Sequence, residues 1–401
     1  MTEHQEKSAD QWRELTTQLA EAGEAIRSFA FVGDEPADEA EFNKVLAMTF
    51  AQAYWMNFHS DVSAPEWLPF IGQLIPSGAI NPDTLYYSAR LDPNGTYRVS
   101  GERGTVYMLD FQLSQRQPGY PGQSGARTAS IDGDSLTLDS QGRFDFVISK
   151  ERPEGVADWY PLPPESGSIL MRQVSYDWEG ERDARVAIER LDTPIGRPRP
   201  TAAETQALLA RLPEHMMLYQ KQFLNYKAQV RALGPANQLH RRIRTETGGE
   251  GQGGGMGGQV IYHGNFDLAD DEALLIETTI PERCGYFNIQ VTDEMHLAID
   301  PLFHQASLNG HQARLDSDGK FRAVISVQDP AVPNWLDTAG YRHGGIIGRW
   351  TRSSGAPVPD ARVIKLKNLR DHLPADTPTV SADERERIVR ARSCAMQRRR
   401  R

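Results

Sequence analysis

The sequence predicts a mainly β protein with α additions: two duplicated antiparallel jelly-roll-like β-sandwich units, with N-terminal helices and a long inter-domain helix. Three observations carry that prediction. They are a repeat at constant spacing, a period-two apolar pattern cut by frequent turn residues, and helical patterns confined to the segments outside the repeat.

The repeat is explicit. Ala129–Ser149 reads ASIDGDSLTLDSQGRFDFVIS, and Ala306–Ser326, 177 positions later, reads ASLNGHQARLDSDGKFRAVIS, with 11 of 21 positions identical. The same spacing aligns Pro153 with Pro330, Arg172 with Arg349 and Asp183–Val186 with Asp360–Val363, and Trp159 matches Trp335 after one deletion. Asp132-Gly133 and Asn309-Gly310 are expected to form tight hairpin turns, because these residues tolerate positive φ, and Asp139–Gly142 and Asp316–Gly319 to form short loops with a left-handed Gly. The strands that follow alternate, with Phe144, Phe146 and Ile148 on one face and Phe321, Ala323 and Ile325 on the equivalent one. Eight or so short strands per copy suit a jelly-roll or related sandwich.

In chain order, Trp12, Leu15, Leu19, Ala22 and Ile26 recur at helical steps and predict a helix over 9–29, and Phe42, Val45, Leu46, Thr49, Ala53 and Met56 predict another over 39–58. From about Pro76 the period becomes two, as in Leu85–Arg90. A third helical pattern, over 201–233, ends at Gly234-Pro235, a stop signal. Eight glycines between Gly248 and Gly258 make a flexible connector. Strand texture resumes at Val260, and a charged helix begins at Ser381. The expected organisation is a helical segment over 1–75, a first β-sandwich repeat over 76–200, a helix and Gly-rich linker over 201–258, a second repeat over 259–370, and a C-terminal helix and basic tail over 371–401.

Length and composition narrow the function. A chain of 401 residues with 39% hydrophobic and 24% charged residues has the make-up of a soluble two-domain protein, and no apolar run is long enough to span a bilayer. The polar, acidic start gives no secretory signal, so a cytoplasmic location is expected. Cys284 and Cys394 are too few for a disulfide framework or a thiolate zinc site. A net charge of −10 argues against nucleic-acid and membrane partners. The arginines at 398–401 are the exception, read as a frayed, solvated tail. A small-molecule ligand is the expected partner, with a homo-oligomer left open, and no cofactor is expected.

Catalytic signatures are few. Gly249, Gly251 and Gly254 match a dinucleotide fingerprint in spacing only, since they follow a helix instead of a strand. Glu294 and His296 would share a strand face as metal ligands, with His304 or His311 completing a set, but exposed polar residues explain the same positions, and no metal is assigned. Arg172 and Arg349 sit in apolar strands and need acceptors; Asp183 and Asp360, which recur at the same spacing, are the expected partners, and anchoring of an anionic substrate is the alternative. Trp159 and Trp335 read as lids on the two cores or as aromatic pocket walls. Asn81–Tyr87 has no twin in the second copy, and Asp83, Tyr86 and Tyr87 offer an acid or base and phenolic donors.

Asn81-Pro-Asp-Thr-Leu-Tyr86, together with Asp318-Gly319, the strand Phe321–Ser326 and Pro333-Asn-Trp-Leu336, resembles a bacterial family known as domain of unknown function twelve-fourteen, often joined to a domain numbered twelve-fifty-four. The resemblance spans roughly Ala79–Leu366 and implies a two-domain β protein of jelly-roll type with helical additions. It brings no activity and no catalytic residue, and the sequence departs from the family pattern over Asp337–His343.

The functional expectation is a small-molecule protein, read as an enzyme of catabolic or secondary metabolism acting on an anionic or carbonyl-bearing substrate with an apolar body. Asp83 and His343 would transfer protons, Tyr86, Tyr87, Arg172 and Arg349 would bind substrate, and Trp335 would pack on its apolar part. The alternative is a non-catalytic module that binds a carbohydrate or apolar ligand, or bridges partners.

Overall fold

The computed structural model describes residues 3–33, 36–121, 126–241, 256 and 258–399. Two helices open the chain, α1 (Glu3–Arg27) and α2 (Pro36–Phe58). Their buried stripe holds Leu15, Ala22, Ile26, Phe42, Val45, Ala53 and Met56, whereas Trp12 points to solvent. Eight strands follow: β1 (Thr84–Arg90), β2 (Tyr97–Glu102), β3 (Met108–Ser114), β4 (Arg127–Asp132), β5 (Arg143–Ser149), β6 (Trp159–Pro161), β7 (Ser168–Val174) and β8 (Arg185–Arg190).

The long third helix is broken in two, α3 (Ala202–Ala210) and α4 (Leu212–Arg231). Thr201 and Glu204 form a reciprocal cap on α3. Pro213 is tolerated only because it falls in the first turn of α4, where its missing N–H is not needed, so a new helix starts there. Nine further strands complete the sheets: β9 (Gln238–Arg241), β10 (Gln259–Asp267), β11 (Glu272–Thr279), β12 (Cys284–Thr292), β13 (Ser307–Asn309), β14 (Lys320–Ser326), β15 (Trp335–Asp337), β16 (His343–Ser353) and β17 (Asp360–Lys365). The last helix, α5 (Ala382–Arg398), is capped reciprocally by Ser381 and Glu384. The glycine run, apart from Met256 and Gly258, and Arg400 and Arg401 lie outside the described residues.

Each β unit is a two-sheet sandwich with the same strand order. The first pairs β1-β7-β3-β4 with β6-β5-β2-β8; the second pairs β10-β16-β12-β13 with β15-β14-β11-β17, and β9 adds an edge beside β10. In both units one pair is parallel, β5 with β6 and β14 with β15, and the other pairs are antiparallel. Phe111, Phe144, Phe146 and Tyr97 fill the first core, and Phe287, Phe321, Ile325 and Trp350 the second. A third apolar cluster joins α1, α2 and α4 to the turn holding Met295 and Leu297.

Turn chemistry follows the sequence in one pair of loops and departs from it in the other. Gly142 and Gly319 are left-handed, with φ of 75° and 78°. Gly133 and Gly310 are not. Asp132 instead caps a short 3-10 turn by accepting from the Asp134 amide, and the Asn309 side chain accepts from the amides of His311 and Gln312. These two glycines are required by close approach: a Cβ on Gly133 would lie 2.6 Å from the Leu109 carbonyl oxygen, and one on Gly310 would lie 1.7 Å from the Tyr176 hydroxyl.

Two polar clusters hold the units together. Asp83 is 2% exposed and accepts from Trp178 (2.8 Å) of its own unit and from Tyr286 (2.5 Å) and Asn309 (2.8 Å) of the other. Asn81 donates to the Tyr286 hydroxyl at 2.6 Å and accepts from Asn288 at 2.8 Å. The second cluster is a row of buried arginines at seven-residue spacing along one face of α5 and its cap. Arg385 binds Asp329 and the Val332 carbonyl, and Arg392 reaches Gln312 and Ser307 while lying over the Trp178 ring at 4.6 Å. Arg399, 3% exposed, bonds to Asp183 and to the carbonyls of Asp83 and Gln173. The helix therefore spans from the second unit to the first, and Arg399 corrects the expectation of a solvated tail.

Candidate functional site between the two units

A cavity of about 970 Å³ lies between the units. One wall is the face of β1, β7 and β3 turned away from the first core, with Tyr86, Ser88, Arg172 and Gln112; the alternate residues Tyr87, Ala89, Met171 and Phe111 pack into that core. The opposite wall comes from β10 and β16, with Gln259, Ile261, Ile347 and Arg349. Helix α4 closes a third side with Lys221, Gln222, Phe223, Tyr226 and Gln229, and residues 70–71, 78–81 and 116–120 add to the lining. Among the described residues the lining carries Arg116, Lys221, Arg172 and Arg349 and no carboxylate. In a chain with more acids than bases this is a local reversal of charge.

Arg172 and Arg349 are equivalent by repeat and by register, since Arg172 lies opposite Asp110 and Arg349 opposite Asn288. Arg172, 3% exposed, donates to Asp110 (3.1 Å) and Gln112 (2.9 Å). Arg349, 6% exposed, donates to Asn288 (3.3 Å), Gln290 (2.7 Å) and the Ala79 carbonyl (2.9 Å). Each arginine is thus held by the residue opposite and by a glutamine two positions on, but the second copy has an amide where the first has a carboxylate. Among the described residues Arg349 has no carboxylate partner. The expected partners are corrected: Asp183 pairs with Arg399, and Asp360 is exposed.

Beside Arg349 the wall holds His296, 4% exposed, at a left-handed φ of 62°. Its ring lies against Tyr226 at 5.3 Å, and the Tyr226 hydroxyl meets His263 Nε2 at 2.9 Å. Burial, reinforced by the neighbouring charges of Lys227, His263 and Arg349, holds the His296 imidazole well below its ordinary pKa, so it is neutral at pH 7.

Among solved structures, the chain is similar to an uncharacterized protein from Burkholderia cenocepacia, at 31% identity over 90% of this chain and 98% of that one, with a TM-score of 0.79. The chain belongs to the family of that protein. A Vibrio parahaemolyticus protein is a more distant likeness, at 12% identity, 80% of this chain, 98% of that chain and a TM-score of 0.42. No family model matches the sequence, and no curated protein matches it.

Within this family fold, three of the seven residues singled out from sequence meet at the cavity: Tyr86, Arg172 and Arg349. The other four lie elsewhere. Asp83 is sealed behind the wall in the inter-unit network, where burial raises its pKa against the hydrogen bonds from Tyr286, Asn309 and Trp178. Tyr87 packs on the first core. Trp335 is buried, with its indole N–H on the Ser326 carbonyl (3.1 Å) and Arg385 over its ring; Trp159 similarly donates to Ser149 at 2.9 Å. His343 is exposed at the start of β16, paired with Asp267 at 3.0 Å. It stands about 20 Å from Arg349 along the strand; with Asp83 buried and engaged by Trp178, Tyr286 and Asn309 and His343 at the surface on Asp267, the two share no hydrogen bond and do not act as a proton-transfer pair.

Glu294 and His296 lie in a turn, not a strand, and Glu294 is engaged by Arg231 (2.7 Å) and Lys227 (3.5 Å). His304 pairs with Asp337 and His311 with Asp177, and among the described residues no three candidate ligands converge on a metal position. Sequence reasoning missed Asn288, Tyr226 and the cavity role of His296. The first was legible, since a shift of 178 aligns Asp110-Phe-Gln112 with Asn288-Ile-Gln290. No helix among the described residues is long and apolar enough to cross a membrane.

Proposed function

We propose that the protein binds a small anionic molecule in the cavity between its two β units, with Arg349 as the principal charge partner. One observation carries this reading. Arg349 is a buried guanidinium in a cavity wall, supplied among the described residues with neutral acceptors only, while its twin Arg172 has Asp110. A buried cation without a counter-charge is costly, and a ligand carboxylate or phosphate removes that cost with a charge-assisted hydrogen bond. The cations Arg116 and Lys221 at the lining and the lack of an acid there among the described residues support the same sign. The volume suits a ligand of ordinary metabolite size.

Binding is preferred to catalysis because Asp83 is sealed behind the wall and His343 is at the surface. The likeness to the twelve-fourteen domain family stands beside this reading as a proposal, and its Asn81 and Asp83 serve the inter-unit network. A cytoplasmic location is proposed with it, in keeping with the unpaired Cys284 and Cys394.

The test is thermal unfolding of the full chain with a panel of small carboxylates and phosphates, since a ligand selective for the native state raises Tm. At least one anion is expected to raise it, and Arg349→Met to abolish the rise while unfolding near the wild-type temperature. A panel without effect, or an undiminished rise in Arg349→Met, would overturn the reading.

A further inference from the structure

This inference rests on the anion-binding reading and names the chemical class of the ligand. We propose that the ligand is an acidic sugar whose carboxylate lies between Arg349 and His296 while its hydroxyl groups meet an amide-lined wall.

The carboxylate end is argued from His296. Its backbone is held left-handed, a conformation unfavourable for a non-glycine residue, by a turn in which its amide donates to the Asp293 carbonyl (3.3 Å), Asp293 accepts from Leu297 (2.8 Å) and the His296 carbonyl accepts from Ala79 (2.9 Å). The imposed geometry turns the imidazole to the cavity beside Arg349. Among the described residues neither ring nitrogen has a hydrogen-bond partner. The ring is therefore open to the cavity, where an imidazole nitrogen can donate to or accept from a ligand. A ligand carboxylate supplies the partner.

The groups around the ring fix the sign of its response to pH. Arg349 from β16, Lys227 and Tyr226 from α4 and His263 from β10 face it, with Asp293 and Glu294 in its own turn. Glu294 is occupied by Lys227 and Arg231, and Asp293 is buried. The surroundings are therefore cationic, and a bound carboxylate offsets them. His296 then takes up a proton and donates to the ligand, so affinity rises as pH falls.

The body of the ligand is argued from the amides. Gln112, Gln117, Gln222, Gln229 and Gln259 all line the cavity. A primary amide both donates and accepts, as does a sugar hydroxyl; Gln112 and Gln259 already bond to Ser114 and Thr351, but the buried Gln117 Oε1 has no partner among the described residues, and an alkyl or aryl acid would cover it without pairing it. Tyr86, Phe223 and Tyr226 add aromatic faces against which the C–H side of a sugar ring packs.

The experiment is calorimetric titration of the full chain with glucuronate, galacturonate, mannuronate and gluconate, and with glucose and hexanoate as the neutral and the apolar comparison, in two buffers of different ionisation enthalpy. At least one sugar acid is expected to bind tenfold or more tightly than glucose and hexanoate and to take up a proton. His296→Gln is expected to weaken it about tenfold and to remove the proton uptake. If that variant does not fold, the wild-type affinity for the same acid between pH 8 and 6 serves instead, and must rise as pH falls. Hexanoate binding as tightly as every sugar acid, or sugar-acid binding without proton uptake, would overturn this inference and leave anion binding standing. Failure of every carboxylate and phosphate would overturn both.

Discussion

Arg172 and Arg349 occupy equivalent places in the two β units, yet Arg172 meets the carboxylate of Asp110 at 3.1 Å and Arg349 meets the amide of Asn288 at 3.3 Å. A single exchange between acid and amide separates a satisfied structural ion pair from a cation available to a ligand. Asp110→Asn is expected to remove the carboxylate that Arg172 meets on β3 and to cost about 2 kcal/mol, read as a lower urea midpoint at unchanged m. Asn288→Asp is expected to neutralise Arg349 and weaken anion binding at least tenfold; calorimetry showing undiminished binding would contradict the assignment.

Arg399 ties α5 to the first unit through Asp183 and two carbonyls. Its removal leaves Asp183, already raised in pKa by burial, without its cation. Arg399→Ala is expected to destabilise by about 3 kcal/mol, the cost of breaking a buried pair from one side. In Asp183→Asn the same substitution should cost markedly less. Urea unfolding of the four proteins in the cycle measures the difference.

His215, from α4, is buried between Asn57, which meets Nδ1 at 3.1 Å, and Gln52, which meets Nε2 at 3.0 Å. Burial lowers its pKa from 6.5 to about 4. The unfolded chain takes the proton near 6.5 and the native protein resists it to about 4, so stability is lost as pH falls through that window and levels off below it. The contribution is about 3 kcal/mol. His215→Gln is expected to flatten that part of the stability profile, as measured by urea unfolding from pH 7 to 4.

Gly310→Ala is expected to destabilise by about 1–3 kcal/mol through overpacking, because its Cβ would meet the Tyr176 hydroxyl, and Tyr176→Phe should recover part of the loss. Gly319→Ala, whose Cβ would meet nothing within 4 Å, is expected to cost about 1 kcal/mol through its positive φ alone. Tyr176→Phe should not change that cost. Differential melting of the single and double variants separates the two causes.

The sandwich units were legible in the sequence because alternation of Phe144, Phe146 and Ile148 encodes which face is buried, and a repeat preserves it in Phe321, Ala323 and Ile325. Partner choice for the arginines was not, because it depends on the register of β7 against β3 and of β16 against β12, which no single strand's pattern carries. Asp83 stood out as an asymmetry between the copies, but residue type does not reveal burial, and its role is set by Tyr286 and Asn309, more than 200 positions away. Arg399 looked like part of a basic run; its seven-residue step from Arg392 and Arg385 has meaning only once the helix is known to continue that far.

Asp83 draws its hydrogen bonds from both units, so the sandwiches cannot part without stripping donors from a buried carboxyl. The walls of the cavity consequently behave as one body, in the manner of a moulded vessel instead of a pair of jaws. On the proposed reading, the two walls that a ligand would meet are already fixed to one another by this network.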